Sequence, residues 1–226
     1  MAVDYNPRIV SDGLVLALDA ANTKSYPGSG STWTDSKSGY SLTFTSTFSS
    51  DNVGSFDFDG TDDYAEMSLD SGWTNFDTDP FTIEVWYRPH TNDSEFETLV
   101  GSRGGGTGTW QLDFNASGNI RFQRTANSLF VNSSISFEAN IWKQVVVVRE
   151  GTGTNQFKFY SNGDLNTTST FDSNLGATNQ LRIGQNRGAN FHYDGNISVV
   201  RIYKNKALSA SEVKQNFNAL RWRYGI

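Results

Sequence analysis

The 226-residue chain has no cysteine, which removes disulfides, zinc-thiolate sites and thiol nucleophiles together. Its two histidines, His90 and His192, are too few for a zinc centre built on imidazoles. Proline is scarce, with Pro7, Pro27, Pro80 and Pro89 scattered singly. No proline-rich or charge-rich linker divides the chain and no repeat of fixed period appears, so residues 1–226 read as one domain and not as a solenoid or propeller. Basic residues number 18 against 24 acidic ones, a formal charge of −6. Gripping phosphates needs a basic field, so nucleic acid is not an expected partner. No run of about 20 apolar residues occurs, so no helical membrane insertion is expected. The opening "MAVDYNPRIVSDG" carries Asp4 and no apolar stretch of signal-peptide length, so Sec export is not expected either.

Aromatic residues are plentiful, and they alternate. In "FTIEVWYRP", Phe81, Ile83, Val85 and Tyr87 share one face, and Thr82, Glu84, Trp86 and Arg88 the other. "WQLDFN" splits in the same way, setting Trp110, Leu112 and Phe114 against Gln111, Asp113 and Asn115, and "NIRFQRT" and "QFKFYSNG" follow it. "WKQVVVVRE" is continuously apolar, so Val145 to Val148 predict a central strand covered on both faces. Turn-formers in "NASGN", "EGTGTN", "SNGD" and "GGGTGT" punctuate these runs. The spacing predicts roughly twelve to fourteen strands in an all-β, two-sheet antiparallel jelly-roll sandwich. One helix is expected, in "LSASEVKQNFNALR". There Ser209 and Glu212 form a capping box, and Val213, Phe217 and Leu220 follow at helical spacing. An N-terminal arm, 1–12, and a C-terminal tail, 221–226, flank this domain.

The motif order "GLVLALDAAN", "WTDSKSG", "FDFDGTDDY", "PFTIEVWYRP", "ETLVGS", "WKQVVVVRE", "FYSNGD", "LRIG" and "YDGNISVVRIYKNKALSASEV" resembles the laminin-G-like domains of the concanavalin A-like lectin and glucanase superfamily. The opening "GLVLALDAAN…SYPGSGSTW" resembles the variant found in structural proteins of tailed bacteriophages. The resemblance implies a jelly roll that is usually non-catalytic, binds glycans or proteins, and often holds calcium.

"FDFDGTDDY", Phe56 to Tyr64, concentrates four aspartates. One reading is a strand with Phe56 and Phe58 inward and Asp57 and Asp59 outward, Gly60 opening a turn that holds Asp62 and Asp63. The other is a calcium loop with Asp59, Asp62 and Asp63 as ligands and Asp19 and Asp194 adding oxygens. The spacing is not that of an EF-hand, and "QNRGAN" lacks the acids that pentraxins carry after the strand equivalent to "LRIG". The glucanase string E-x-D-x-x-E is absent, and no catalysis is expected.

Glu84, Trp86, Arg88, Gln111, Asp113, Asn115, Arg121, Gln123, Lys158 and Tyr160 are expected on one or both outer sheet faces. Rings beside amides, carboxylates and guanidinium groups suit sugars, whose C–H faces stack and whose hydroxyls need donors and acceptors, and they equally suit a protein interface. The glycine-rich "GSRGGGTGTW" lacks the Lys-Ser/Thr of a P-loop and reads as a hairpin loop. By the pentraxin likeness it shares an edge with "QNRGANFHY". Arg103, Trp110, Arg187, His192 and Tyr193 are therefore candidate ligand or partner contacts, with Trp86. In "RWRYGI", Trp222 and Tyr224 either cap the sandwich or anchor a neighbouring subunit.

These readings combine into a non-catalytic structural, decoration or adhesion protein of a bacteriophage virion: a capsid accessory, tail or fibre protein with a lectin-like surface. Its expected partners are other virion proteins, copies of itself and host surface glycans. A particle assembled in the host cytoplasm and released by lysis would account for an adhesion-type module without export signal or disulfides. The alternatives are a free carbohydrate-binding module and, more remotely, a glycoside hydrolase.

Overall fold

A computed structural model describes residues 7–50, 53–68, 75–91, 96–103, 108–125, 128–176, 180–185 and 191–226. The strands run β1 (Leu14–Asp19), β2 (Thr32–Thr34), β3 (Ser41–Phe44), β4 (Thr47–Ser49), β5 (Ser55–Asp59), β6 (Ala65–Ser68), β7 (Phe81–Pro89) and β8 (Glu97–Arg103). They continue as β9 (Trp110–Phe114), β10 (Asn119–Arg124), β11 (Leu129–Ser136), β12 (Lys143–Arg149), β13 (Phe157–Ser161), β14 (Asp164–Ser169), β15 (Gln180–Ile183) and β16 (Asp194–Lys204). Helix α1 is Ala210–Tyr224. The strand count exceeds the expected one through pieces such as β2 and β4, three residues each, too short to show a period.

Two antiparallel eight-stranded sheets result, as the jelly-roll reading predicts. The first has the order β14-β13-β12-β7-β16-β5-β4, with β1 also on β16; the second is β11-β10-β9-β8-β15-β6-β3-β2. β16 is long enough to pair β5 through Asp194–Ile197 and β1 through Val199–Tyr203 along one edge while β7 holds the other.

The inward residues are those the alternation marks. Phe81, Ile83, Val85 and Tyr87 meet Leu112, Phe114 and Phe122 in one core between the sheets, with Phe56, Phe58, Val145 and Val147. Val146 and Val148 point the other way into a second cluster with Val213, so this strand is covered on both faces.

That outer cover is α1. Ser209 accepts from the Glu212 N–H at 3.3 Å while the Glu212 carboxylate accepts from the Ser209 N–H at 2.8 Å, the predicted capping box. The helix continues to Tyr224 and ends at Gly225, whose φ of 71° is left-handed, so residues 221–224 are helical rather than tail. Phe217 and Tyr224 stack on the Trp86 ring at 5.7 and 4.3 Å.

Beneath the helix lies Glu84, fully buried. It accepts from Trp86 Nε1, Gln144 Nε2 and Arg201 Nη1, each at 2.9 Å, and from Asn216 Nδ2 of the helix at 2.9 Å. Burial alone would lower the Arg201 pKa, but Glu84 holds it above the ordinary arginine value. Removing one member orphans a buried charge, which costs about 3–5 kcal/mol, whereas removing both does not. Glu84→Leu is therefore expected to lose that much stability in urea denaturation, and the double variant Glu84→Leu/Arg201→Met to recover a substantial part. Equal loss in both would show that packing and not charge pairing dominates.

Candidate functional site

With α1 covering the first sheet, the open outer face belongs to the second. Register places Gln111 opposite Gln123 and Asp113 opposite Arg121 across β9 and β10, and Phe130 of β11 opposite Gln123. Neighbouring strands thus set a polar ladder beside a ring. The groove over it encloses about 380 Å³ and is lined by Phe96, Gln111, Arg121, Gln123, Thr125, Ser128, Phe130 and Phe191.

Its centre is an ion pair. Arg121 donates to Asp113 through Nε at 2.9 Å and Nη2 at 2.6 Å, a bidentate geometry that fixes the guanidinium plane. The plane lies over Phe96 at 4.3 Å from the ring centroid and over Phe130 at 5.5 Å. Phe96 in turn contacts Phe191 at 5.6 Å. Asp113 is fully buried and Arg121 is 7% exposed, while Phe130 is 48% exposed. Gln111 also donates to Asp113. Burial pushes the Asp113 carboxyl up to about 6, against the downward pull of Arg121 and Gln111.

A second pocket, about 370 Å³, is lined by Thr45, Thr47, Asp57, Phe58, Asp59, Asp63, His90 and Asp194. Asp59, Asp62 and Asp63 bring carboxylate oxygens within 4.8 Å of one another. Asp194 pairs across to Asp59. Gly60 makes this possible: its φ is 72°, and a Cβ there would lie 3.0 Å from the Asp194 Cβ. The acids are engaged locally. Asp59 Oδ1 accepts from the N–H groups of Thr61 at 2.9 Å and Asp62 at 3.3 Å, and the Thr61 bond leads in lowering its pKa. Burial raises that of Asp63. Asp194 contacts His90 Nδ1 at 3.2 Å and accepts from Thr91 at 2.5 Å. The strand-and-turn reading therefore accounts for the arrangement, and the oxygens also suit calcium in kind, with Asp59, Asp62 and Asp63 as the residues that would hold it. Asp19 does not join them, because Arg223 holds both its oxygens at 2.8 and 3.1 Å beside the helix.

Of the other expected contacts, Trp86, Trp110, Tyr193 and Tyr224 are buried, whereas Trp222 is open to solvent. Trp86 is roofed by α1, and Trp110 points into the core with Leu112. Tyr193 is fully buried, and Tyr224 is buried on Trp86. His192 is half-buried, with its Nε2 3.2 Å from Gln185 Nε2. Trp222 is 63% exposed, and its Nε1 donates to the Ala219 carbonyl at 3.1 Å. Arg187 and the Arg103 side chain lie outside the described residues, as do 104–107. The two candidate loops do not share an edge: β8 and β15 pair antiparallel, Arg103 to Gln180 and Val100 to Ile183, so the loops leave opposite ends of β15.

The laminin G family of the concanavalin A-like lectin/glucanases superfamily matches residues 59–214. The chain belongs to this family. No curated protein matches it in sequence. Among solved structures it is similar to a Trypanosoma rangeli sialidase in complex with sialic acid, at 19% identity and a TM-score of 0.68, over 95% of this chain and 34% of that one. It is also similar to the receptor binding domain of botulinum neurotoxin D, at 15% identity and a TM-score of 0.67, over 91% of this chain and 52% of that one. The chain thus spans about a third and a half of these proteins, and the likeness is one of fold. It nevertheless corrects the expectation of a protein without catalysis, because enzymes stand among the structures that share this fold.

The Asp113 pKa sets a measurable pH dependence. The folded value of about 6 lies above the ordinary 3.8, so this group's contribution to stability is fully present below about pH 4 and is lost as pH rises through 6. The change is about 3 kcal/mol. Between pH 4 and 7 the urea midpoint of the wild type is expected to fall more steeply with rising pH than that of Asp113→Asn, which lacks this carboxyl, and parallel curves would refute the raised value.

Proposed function

We propose that this chain is a glycan-recognition domain that reads sugars in the groove over β9, β10 and β11. The carrying observation is the Asp113–Arg121 pair fixed beneath Phe96 and beside the exposed Phe130. A ring face for C–H stacking adjoins amide and hydroxyl groups held in place before any ligand arrives. The solved structures of this fold are consistent in kind: one is a sialidase held with sialic acid and another a toxin's receptor binding domain.

The setting we propose is a bacteriophage virion, where such a domain would act as a decoration, tail or fibre component that meets host surface glycans. The likeness of "GLVLALDAAN…SYPGSGSTW" to phage structural proteins supports it. A free carbohydrate-binding module would use the same groove, and the two separate by whether the protein sediments with phage particles or alone.

A glycan array tests the reading. Phe130 is half-exposed, so Phe130→Ala is expected to keep the fold and lower affinity about tenfold or more, as loss of a stacking ring does. Trp86→Ala and Trp110→Ala are expected to unfold the domain instead. A blank array for folded wild-type protein, or unchanged binding by Phe130→Ala, overturns the groove reading. Release of free sugar from any bound glycan would show hydrolysis.

A further inference from the structure

Resting on that reading, we infer that the groove selects uncharged saccharide units over acidic ones. Among the described residues lining it, Arg121 is the charged one, and its charge is already matched. Asp113 takes two of its N–H groups, and the pair is buried to 0% and 7% exposure. What remains for a ligand is the half-exposed Phe130, the amide of Gln123, the hydroxyl of Ser128 and the rings of Phe96 and Phe191. Amides and hydroxyls offer donors and acceptors without net charge, the kind of partner that the hydroxyl and acetamido groups of hexoses and N-acetylhexosamines require. A carboxylate brought here would lose water and meet a guanidinium whose planar fork faces another carboxylate, so its desolvation would go uncompensated. Its charge would also sit close to Asp113. The fold shared with sialidases therefore does not carry over a preference for sialic acid.

The experiment pairs each neutral glycan on an array with the same glycan ending in sialic acid, at pH 7.5, followed by titration calorimetry of the best pair. The neutral member is expected to bind at least about tenfold more tightly. Asp113→Asn leaves Arg121 uncompensated and is expected to narrow or reverse that ratio, provided circular dichroism shows it folded. Phe130→Ala, which leaves the ion pair in place, is expected to weaken both members without changing their ratio. Equal or tighter binding of the sialylated member by the wild type overturns the inference while leaving glycan recognition standing. Binding to neither member by folded protein overturns both.

Discussion

Glu84 is the constraint from which the rest of the arrangement follows. A carboxylate in the middle of β7 is tolerable there because four donors from the strands and the helix converge on it. The outer face of the first sheet must therefore be roofed, since Glu84, Gln144 and Arg201 are fully or almost fully buried and only a closed cover keeps them paired. Asn216 makes α1 part of that cover, and Trp86, Phe217 and Tyr224 seal it with stacked rings. With the helix committed to one face, the opposite face is left to meet other molecules.

The open face solves the same problem in a different way. Asp113 and Arg121 form a second buried pair across adjacent strands, covered by side chains and not by an element of structure. Phe96 and Phe130 give the pair its low-dielectric roof, and a roof of rings has an outer side. A ligand stacked on Phe130 would extend the cover that α1 supplies on the first sheet, and would strengthen the pair by removing more water. Structural satisfaction and the proposed ligand binding would in this way be one requirement on one set of residues.

The sequence made the sheets legible because burial on one face imposes a period of two, and the faces assigned to Phe81–Arg88 and Trp110–Asn115 are those observed. The helix was legible from its capping box. Which face the helix covers was not, because a period separates inside from outside but does not distinguish water from a neighbouring element. Trp86 looked like a binding residue for that reason. The period puts Gln111, Asp113, Arg121 and Gln123 on the outward face where they are found, but it does not reveal the rings that complete the groove. Phe96 and Phe191 stand outside strands, and Leu129 and Phe130 are adjacent and both exposed at the start of β11, where no alternation marks a face. Asp19 was misplaced because its partner, Arg223, lies 204 residues along the chain, a pairing no local pattern encodes.

The acidic stretch Phe56–Tyr64 shows why local chemistry alone does not decide a site. Four aspartates within nine residues look like a ligand set, but the backbone N–H groups of Thr61 and Asp62 already bind Asp59, and His90 and Thr91 already engage Asp194. The turn that presents these acids therefore already takes up part of their hydrogen-bonding capacity. In the groove the relation runs the other way. The polar atoms beneath the rings are paired with one another, the inner side of Phe130 covers that pair, and its half-exposed outer side adjoins the exposed Leu129 as an apolar surface open to solvent. Function is better sought at the outer side of that ring, which the ion pair beneath does not use, than at the acids, which the turn does.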